Sequence, residues 1–154
     1  MAMHATDERY MQAALDEAQK AGLINEVPIG ALIVDPEGIQ LAAAHNQMIA
    51  RADPTAHAEI LALRAACRSA GNYRLPGTTL YVTVEPCPMC MGALIHARVA
   101  CLVFGAFDAR WGAAGSLYNL AADTRLNHQV KIVSGVLADP CRQLMQDFFR
   151  VRRV

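Results

Sequence analysis

Two short stretches carry most of the chemistry available to this chain. They are His57-Ala58-Glu59 and, thirty positions after that histidine, Pro86-Cys87-Pro88-Met89-Cys90. Each stands at the expected start of a helix. Two cysteines three apart at a helix start bring both sulfurs to one point, and the positive end of the helix lowers a thiol pKa, favouring the thiolate that zinc requires. His57 completes a set of three protein ligands. Structural zinc generally takes four protein ligands, whereas three with a position left for water is the pattern of catalytic zinc. Glu59, two residues past His57, reaches that water without having to be a ligand and is the candidate general acid/base. Zinc lowers the pKa of its bound water to about 7, so a carboxylate can take that proton near neutral pH and deliver it to a substrate nitrogen. The reaction class is metal-assisted hydrolysis, and nothing in these residues says which carbon is attacked. Taken singly, Cys-x-x-Cys also fits a redox pair or half a zinc knuckle, and a lone histidine fits a packed core.

The elements that must position these groups are legible in outline. Tyr10, Met11, Ala14, Leu15 and Ala18 recur at three- and four-residue spacing, which predicts an amphipathic helix over Asp7 to Gly22 with Thr6 at the N-cap and Gly22 as the stop. Val27 to Val34, a Pro36-Glu37-Gly38 turn and Ile39 to Ala44 predict an antiparallel hairpin. Asp53-Pro54-Thr55 opens a second helix around Ala56, carried by Ile60, Leu61, Leu63, Ala66 and Cys67 as far as Gly71. Thr78 to Val84 reads as a buried strand, Met89 to Ala97 as a helix and Val99 to Phe104 as another strand. Gly105 to Asn127 has little periodicity and reads as loop or mixed structure, and loops of that size usually have a function. Val130 to Val133 is a last short strand, and Asp139-Pro140 opens a final helix to about Arg152. Alternating helices and strands predict a three-layer α/β domain built on one sheet.

Length and composition bound the rest. At 154 residues the chain suffices for one filled core and is short for two, and 54% hydrophobic against 18% charged residues lies far from a disordered composition. The longest apolar runs, near Gly92 to Ile95 and Val99 to Gly105, fall well short of a bilayer span, and no secretory signal stands in Met1 to Arg9. A cytoplasmic location without membrane contact is the expectation. Fourteen basic and fourteen acidic residues give a formal net charge of +0, so any polyanionic partner must be held locally. The basic side is twelve Arg and two Lys, with Arg150, Arg152 and Arg153 crowded into the last five positions. Cys67, Cys101 and Cys141 read as core packing, and Met89 and Met91 as filling rather than soft metal ligands. His96 suits packing or an interface. His45 suits the pocket mouth or solvent.

His57, Glu59, Cys87 and Cys90 in this order, with proline before the first cysteine, form the pattern of the zinc nucleobase deaminases. Further stretches sharpen the likeness: Asp53 to Arg64, Glu85 to Arg98, Gly112 to Ser116, Asn127-His128 and Asp147 to Arg153. With them the chain resembles the bacterial tRNA adenosine deaminases nearly end to end. The first two stretches are shared with free-base guanine deaminases, and the last three point to the tRNA branch.

The resemblance implies a cytidine deaminase-like α/β/α fold with one central mixed sheet, forming a single domain over residues 1–154. It implies one zinc per subunit on His57, Cys87 and Cys90, with Glu59 as the proton carrier. The implied reaction is hydrolytic deamination of the wobble adenosine of a tRNA anticodon loop to inosine, with release of ammonia. Asn46 and the backbone of Ala58 are expected at the target nucleotide, and Asp108, Asn127, Phe149, Arg150 and Arg153 at its neighbours. The target base must be flipped out of its stack to be reached. The resemblance also implies a homodimer. Where relatives commonly carry a basic residue before Asp108 this chain has Phe107, followed by Arg110 and Trp111, which exchanges a phosphate contact for aromatic stacking. The rival expectation is a deaminase of a free base or nucleoside, guanine or cytidine, working through the same zinc site. A zinc-stabilised RNA-binding scaffold without turnover is a third, disfavoured because a scaffold has no use for Glu59.

Overall fold

The computed structural model describes residues 2–152. The elements run α1 (Ala2–Leu23), β1 (Gly30–Val34), β2 (Gln40–His45), α2 (Met48–Arg51), α3 (Ala58–Ala70), β3 (Thr79–Val84), α4 (Pro88–His96), β4 (Cys101–Ala106), β5 (Lys131–Ser134) and α5 (Ala138–Arg152). The five strands form one mixed sheet in the order β2-β1-β3-β4-β5. β1 is antiparallel to both β2 and β3, whereas β3, β4 and β5 run parallel. The expected hairpin is β1–β2, turned through Pro36-Glu37-Gly38, where Asp35 Oδ1 accepts from the N–H groups of Glu37 and Ile39 at 2.9 and 2.8 Å.

Helices cover both faces, giving the expected three layers. Alternate residues of the central strands serve opposite faces: Ala31, Ile33, Leu80, Val82, Leu102 and Phe104 pack with α3 and α4. Leu32, Val34, Tyr81 and Val103 pack with α1 and α5. Burial on both sides is why β1 and β4 read in sequence as continuous apolar runs and β3 as a run rich in β-branched residues. α1 lies close enough to β1 that a Cβ on Gly30 would run into the backbone of Ala14 and Ala18 and sit 2.9 Å from the Glu17 Cβ.

Several boundaries differ from expectation, most of all around α1. α1 begins at Ala2 rather than Asp7, so Thr6 is inside the helix and is no N-cap. Ala2 and Ala5 favour helix, and Asp7 Oδ1 accepts the Tyr81 hydroxyl at 2.8 Å, which holds this turn against β3. At the other end Gly22 is still helical. The chain turns instead through Asn25, at φ 61°, with Glu26 N–H donating to Ala21 O at 2.9 Å. The single turn α2 was not anticipated, since four residues show no periodicity.

The topology gathers the functional segments at one end of the sheet. Gly30 pairs with His45 and Val84 with Ala106, so the start of β1 and the ends of β2, β3 and β4 lie together. In open α/β sheets this carboxyl end of the parallel strands is where ligands bind.

Candidate active site

His57 is the N-cap of α3, with extended backbone at φ −71° and ψ 152°. Cys87 is the N-cap of α4, at φ −74° and ψ 172°, with Pro88 in the first helical position where its missing N–H costs nothing. Cys90 follows one turn later and is buried. Two helix starts thus converge on one point. His57 Nδ1 stands 3.7 Å from Cys87 Sγ and 3.5 Å from Cys90 Sγ, and the three donor atoms all lie within 4.8 Å of one another. Tetrahedral zinc with its usual Zn–N and Zn–S bond lengths separates such ligand pairs by about 3.5 Å, so this donor set fits zinc in both spacing and softness. Among the described residues the group has three donors.

Without the ion the three donors share their protons, and only Cys87 is poised as a thiolate. The hydrogen bond from Cys90, aided by His57, holds the Cys87 thiol down to about 4, although burial opposes it. The same bond to Cys87, together with burial, pushes Cys90 up. The contact with Cys87 also raises His57. Glu59 is 4% exposed, and burial pushes its carboxyl up.

These groups line a cavity of about 470 Å³, within the range of small-molecule sites. His57, Glu59 and Cys87 share it with Glu85, Asp108 and Trp111. Asn46 does not line it but is buried and positions α3: its Oδ1 accepts the Ala58 N–H at 2.8 Å, and its Nδ2 donates to Val27 O at 3.2 Å. The Ala58 N–H is therefore engaged by Asn46. Asn127 lies elsewhere, its Oδ1 accepting from Arg98 Nη1 at 3.0 Å. Phe149 and Arg150 lie on α5, the former edge-on to Phe148 and the latter 3.1 Å from Asp147. None of these three lines the cavity. Arg153 lies outside the described residues. His45 pairs with Glu17 at 2.9 Å instead of facing the cavity.

Two buried carboxylates escaped sequence reasoning. Glu85, 3% exposed at the end of β3, accepts the N–H groups of Asp108 at 3.1 Å and of Ala114 and Ser116 at 3.0 Å each, and also the Ser116 hydroxyl. A Cβ on Gly112 would collide with this carboxylate and with Asp108 O. Glu26, 1% exposed, accepts the Ile49 N–H at 2.6 Å and so fixes α2. The available signal for Glu85 was an acidic residue directly after a buried strand rich in β-branched residues, with a loop containing Gly112 and Gly115 downstream to supply donors.

Comparison with known proteins places the chain. Residues 4–106 match the family model of the cytidine and deoxycytidylate deaminase zinc-binding region. The chain is 47% identical over 147 residues to the tRNA-specific adenosine deaminase of Haemophilus influenzae, covering 96% of this chain and 85% of that one. It is 49% identical over 147 residues to the enzyme of the same name from Bacillus subtilis, covering 96% and 91%. A solved structure from a study of A-to-I editing by tRNA:A34 deaminases at the wobble position of transfer RNA superposes with a TM-score of 0.85 at 40% identity, over 88% of this chain and 98% of that one. The guanine deaminase of Bacillus subtilis superposes at 0.63 with 36% identity, over 71% and 69%. A three-donor zinc site with a buried carboxylate beside it, in this fold and at these identities, means that the chain belongs to the zinc-dependent deaminases, in the family of the tRNA-specific adenosine deaminases.

Proposed function

We propose that this protein deaminates adenosine to inosine at the wobble position of a tRNA anticodon loop. The observation that carries the reading is the buried Glu59 in one cavity with His57 and Cys87, which converge with Cys90 as a three-donor set, within a chain nearly half identical to tRNA-specific adenosine deaminases. Bound by those three donors, zinc supplies Lewis acidity and lowers the pKa of water. Glu59 takes a proton from the attacking water and places it on N1 of the adenine as the water oxygen bonds to C6. The second water proton goes by the same carboxyl to the departing amine, and the C6–N6 bond breaks. Adenosine and water thus give inosine and ammonia. Asn46 holds the Ala58 backbone, and so the start of α3, in register with the base. Asp108 contacts the nucleotide at the cavity wall, while Asn127, Phe149, Arg150 and Arg153 serve the flanking RNA. The active form in this reading is a cytoplasmic homodimer with one zinc per subunit.

The likeness to a guanine deaminase supports a second reading, deamination of a free base at the same site. Zinc quantitation combined with deamination assays on an anticodon stem-loop, adenosine, guanine and cytidine separates the two. The expected result is one zinc per chain and inosine formed in the stem-loop. Faster turnover of a free compound overturns the proposal.

A further inference from the structure

Trp111 is the only tryptophan in the chain, is 64% exposed, and lines the same cavity as Glu59. An indole left largely open on a mobile loop would carry no message, but this loop is fixed. The four hydrogen bonds to Glu85 anchor it at Asp108, Ala114 and Ser116. Asp108 Oδ1 accepts the N–H groups of Arg110 and Trp111 at 3.0 and 3.2 Å, which sets the turn that carries the ring. Phe107, 58% exposed, precedes this turn and packs edge-on against Phe104 at 5.3 Å between ring centroids. The protein therefore holds a large aromatic surface at the cavity mouth without burying it.

The reacting base must descend to Glu59, which is 4% exposed, whereas Trp111 is at the rim. A base flipped into such a cavity leaves its neighbours outside and unstacked. We infer that Trp111 is a specificity-determining platform on which a nucleobase flanking the reacting adenosine stacks, replacing the stacking lost when that adenosine is extruded. This rests on the RNA-substrate reading above. A ring preorganised by Glu85 adds affinity without the cost of ordering a loop on binding. Stacking of a base on an aromatic ring is sequence-tolerant, so the platform favours a strand over a free base without naming the neighbour.

The single tryptophan makes the test direct. Zinc-loaded Glu59→Gln protein, in which turnover is expected to be too slow to consume the base during the measurement, is titrated with an anticodon hairpin while indole emission is followed. Emission is expected to be quenched, and quenching is expected to vanish when both nucleotides flanking the adenosine are abasic but to persist when only the reacting nucleotide is abasic. In the active enzyme, Trp111→Ala is expected to raise KM for the hairpin about tenfold with kcat within about twofold, the scale of one lost stacked base, while Trp111→Phe restores most of the loss. Quenching that depends on the reacting base instead, or an unchanged KM, overturns the platform and leaves the proposed function standing. A wild-type enzyme that forms no inosine in the hairpin is the separate failure of the proposed function. The emission titration needs no substitution at position 111, so it decides the matter even where Trp111→Ala folds poorly.

Discussion

Glu59 and the three zinc donors do different work, and substitution should separate them. Glu59→Gln removes the proposed proton carrier and leaves His57, Cys87 and Cys90 in place. Inosine formation should fall by about 10²- to 10⁴-fold, the usual contribution of a general acid/base, with zinc content unchanged by metal analysis. Cys90→Ser replaces a buried soft donor, so zinc is expected to be lost together with activity. Normal turnover by Glu59→Gln would refute the role given to that carboxyl. Asn46 has a third kind of role. Its amide satisfies a buried backbone donor, the Ala58 N–H, and a part-buried backbone acceptor, Val27 O, so Asn46→Ala should destabilise the fold by about 1–3 kcal/mol in urea denaturation in addition to any effect on turnover.

At the scale of elements, the segment from Asp108 to Ser116 belongs to no helix or strand, and the Glu85 carboxylate is its main side-chain anchor to β3. Glu85→Gln exchanges an acceptor oxygen for an amino group that meets N–H donors head-on, and Gly112→Ala drives a methyl group into the same carboxylate. Either change should speed amide hydrogen exchange across 108–116 while the amides of β3 and β4 keep their protection. Equal protection in the loop would mean that Glu85 is not its anchor. The junction of α1 with β2 makes a prediction about pH. Burial would raise the Glu17 carboxyl, but hydrogen bonds from Lys20 and His45 outweigh it and hold the group below its ordinary value of 4.5. A carboxyl depressed in the folded state stabilises the fold above its unfolded pKa, and that contribution is lost as pH falls through the folded pKa. The stability gap between wild type and Glu17→Gln, read from urea midpoints, should therefore be open at pH 6 and close on acidification below 4.5. A gap independent of pH would exclude this linkage.

For the whole molecule, formal neutrality means that RNA must be held by local charge, and the arginines at the end of α5 are not equivalent. Arg152 donates to Asn25 Oδ1 at 2.8 Å and to Phe148 O at 3.0 Å, and its guanidinium lies 3.5 Å from the Phe148 ring centroid. It ties α5 to the turn after α1. Arg150 is 3.1 Å from Asp147 at the surface, a pair easily exchanged for phosphate. Arg150→Ala should therefore weaken hairpin binding and reduce the slope of log affinity against log salt by about 1, whereas Arg152→Ala should leave the slope alone and lower stability. Equal slopes for wild type and Arg150→Ala would rule out a phosphate contact there. No helix among the described residues is long and apolar enough to cross a membrane.

The sequence by itself determined the zinc donors, the acid/base candidate and most of the elements. His57, Glu59, Cys87 and Cys90 fall within two helix starts, where short spacing fixes geometry, and the three central strands show themselves because both their faces are buried. Tertiary structure alone decided what Glu85, Glu26 and Asn46 do, because each finds its partners 12 to 31 positions away in the chain, and a carboxylate that accepts backbone N–H groups looks in sequence like any solvated acid. It also decided that Trp111 faces the cavity while Asn127 and Phe149 do not line it. Local spacing records what a helix or strand repeats, whereas the meeting of distant segments is set by how the layers pack.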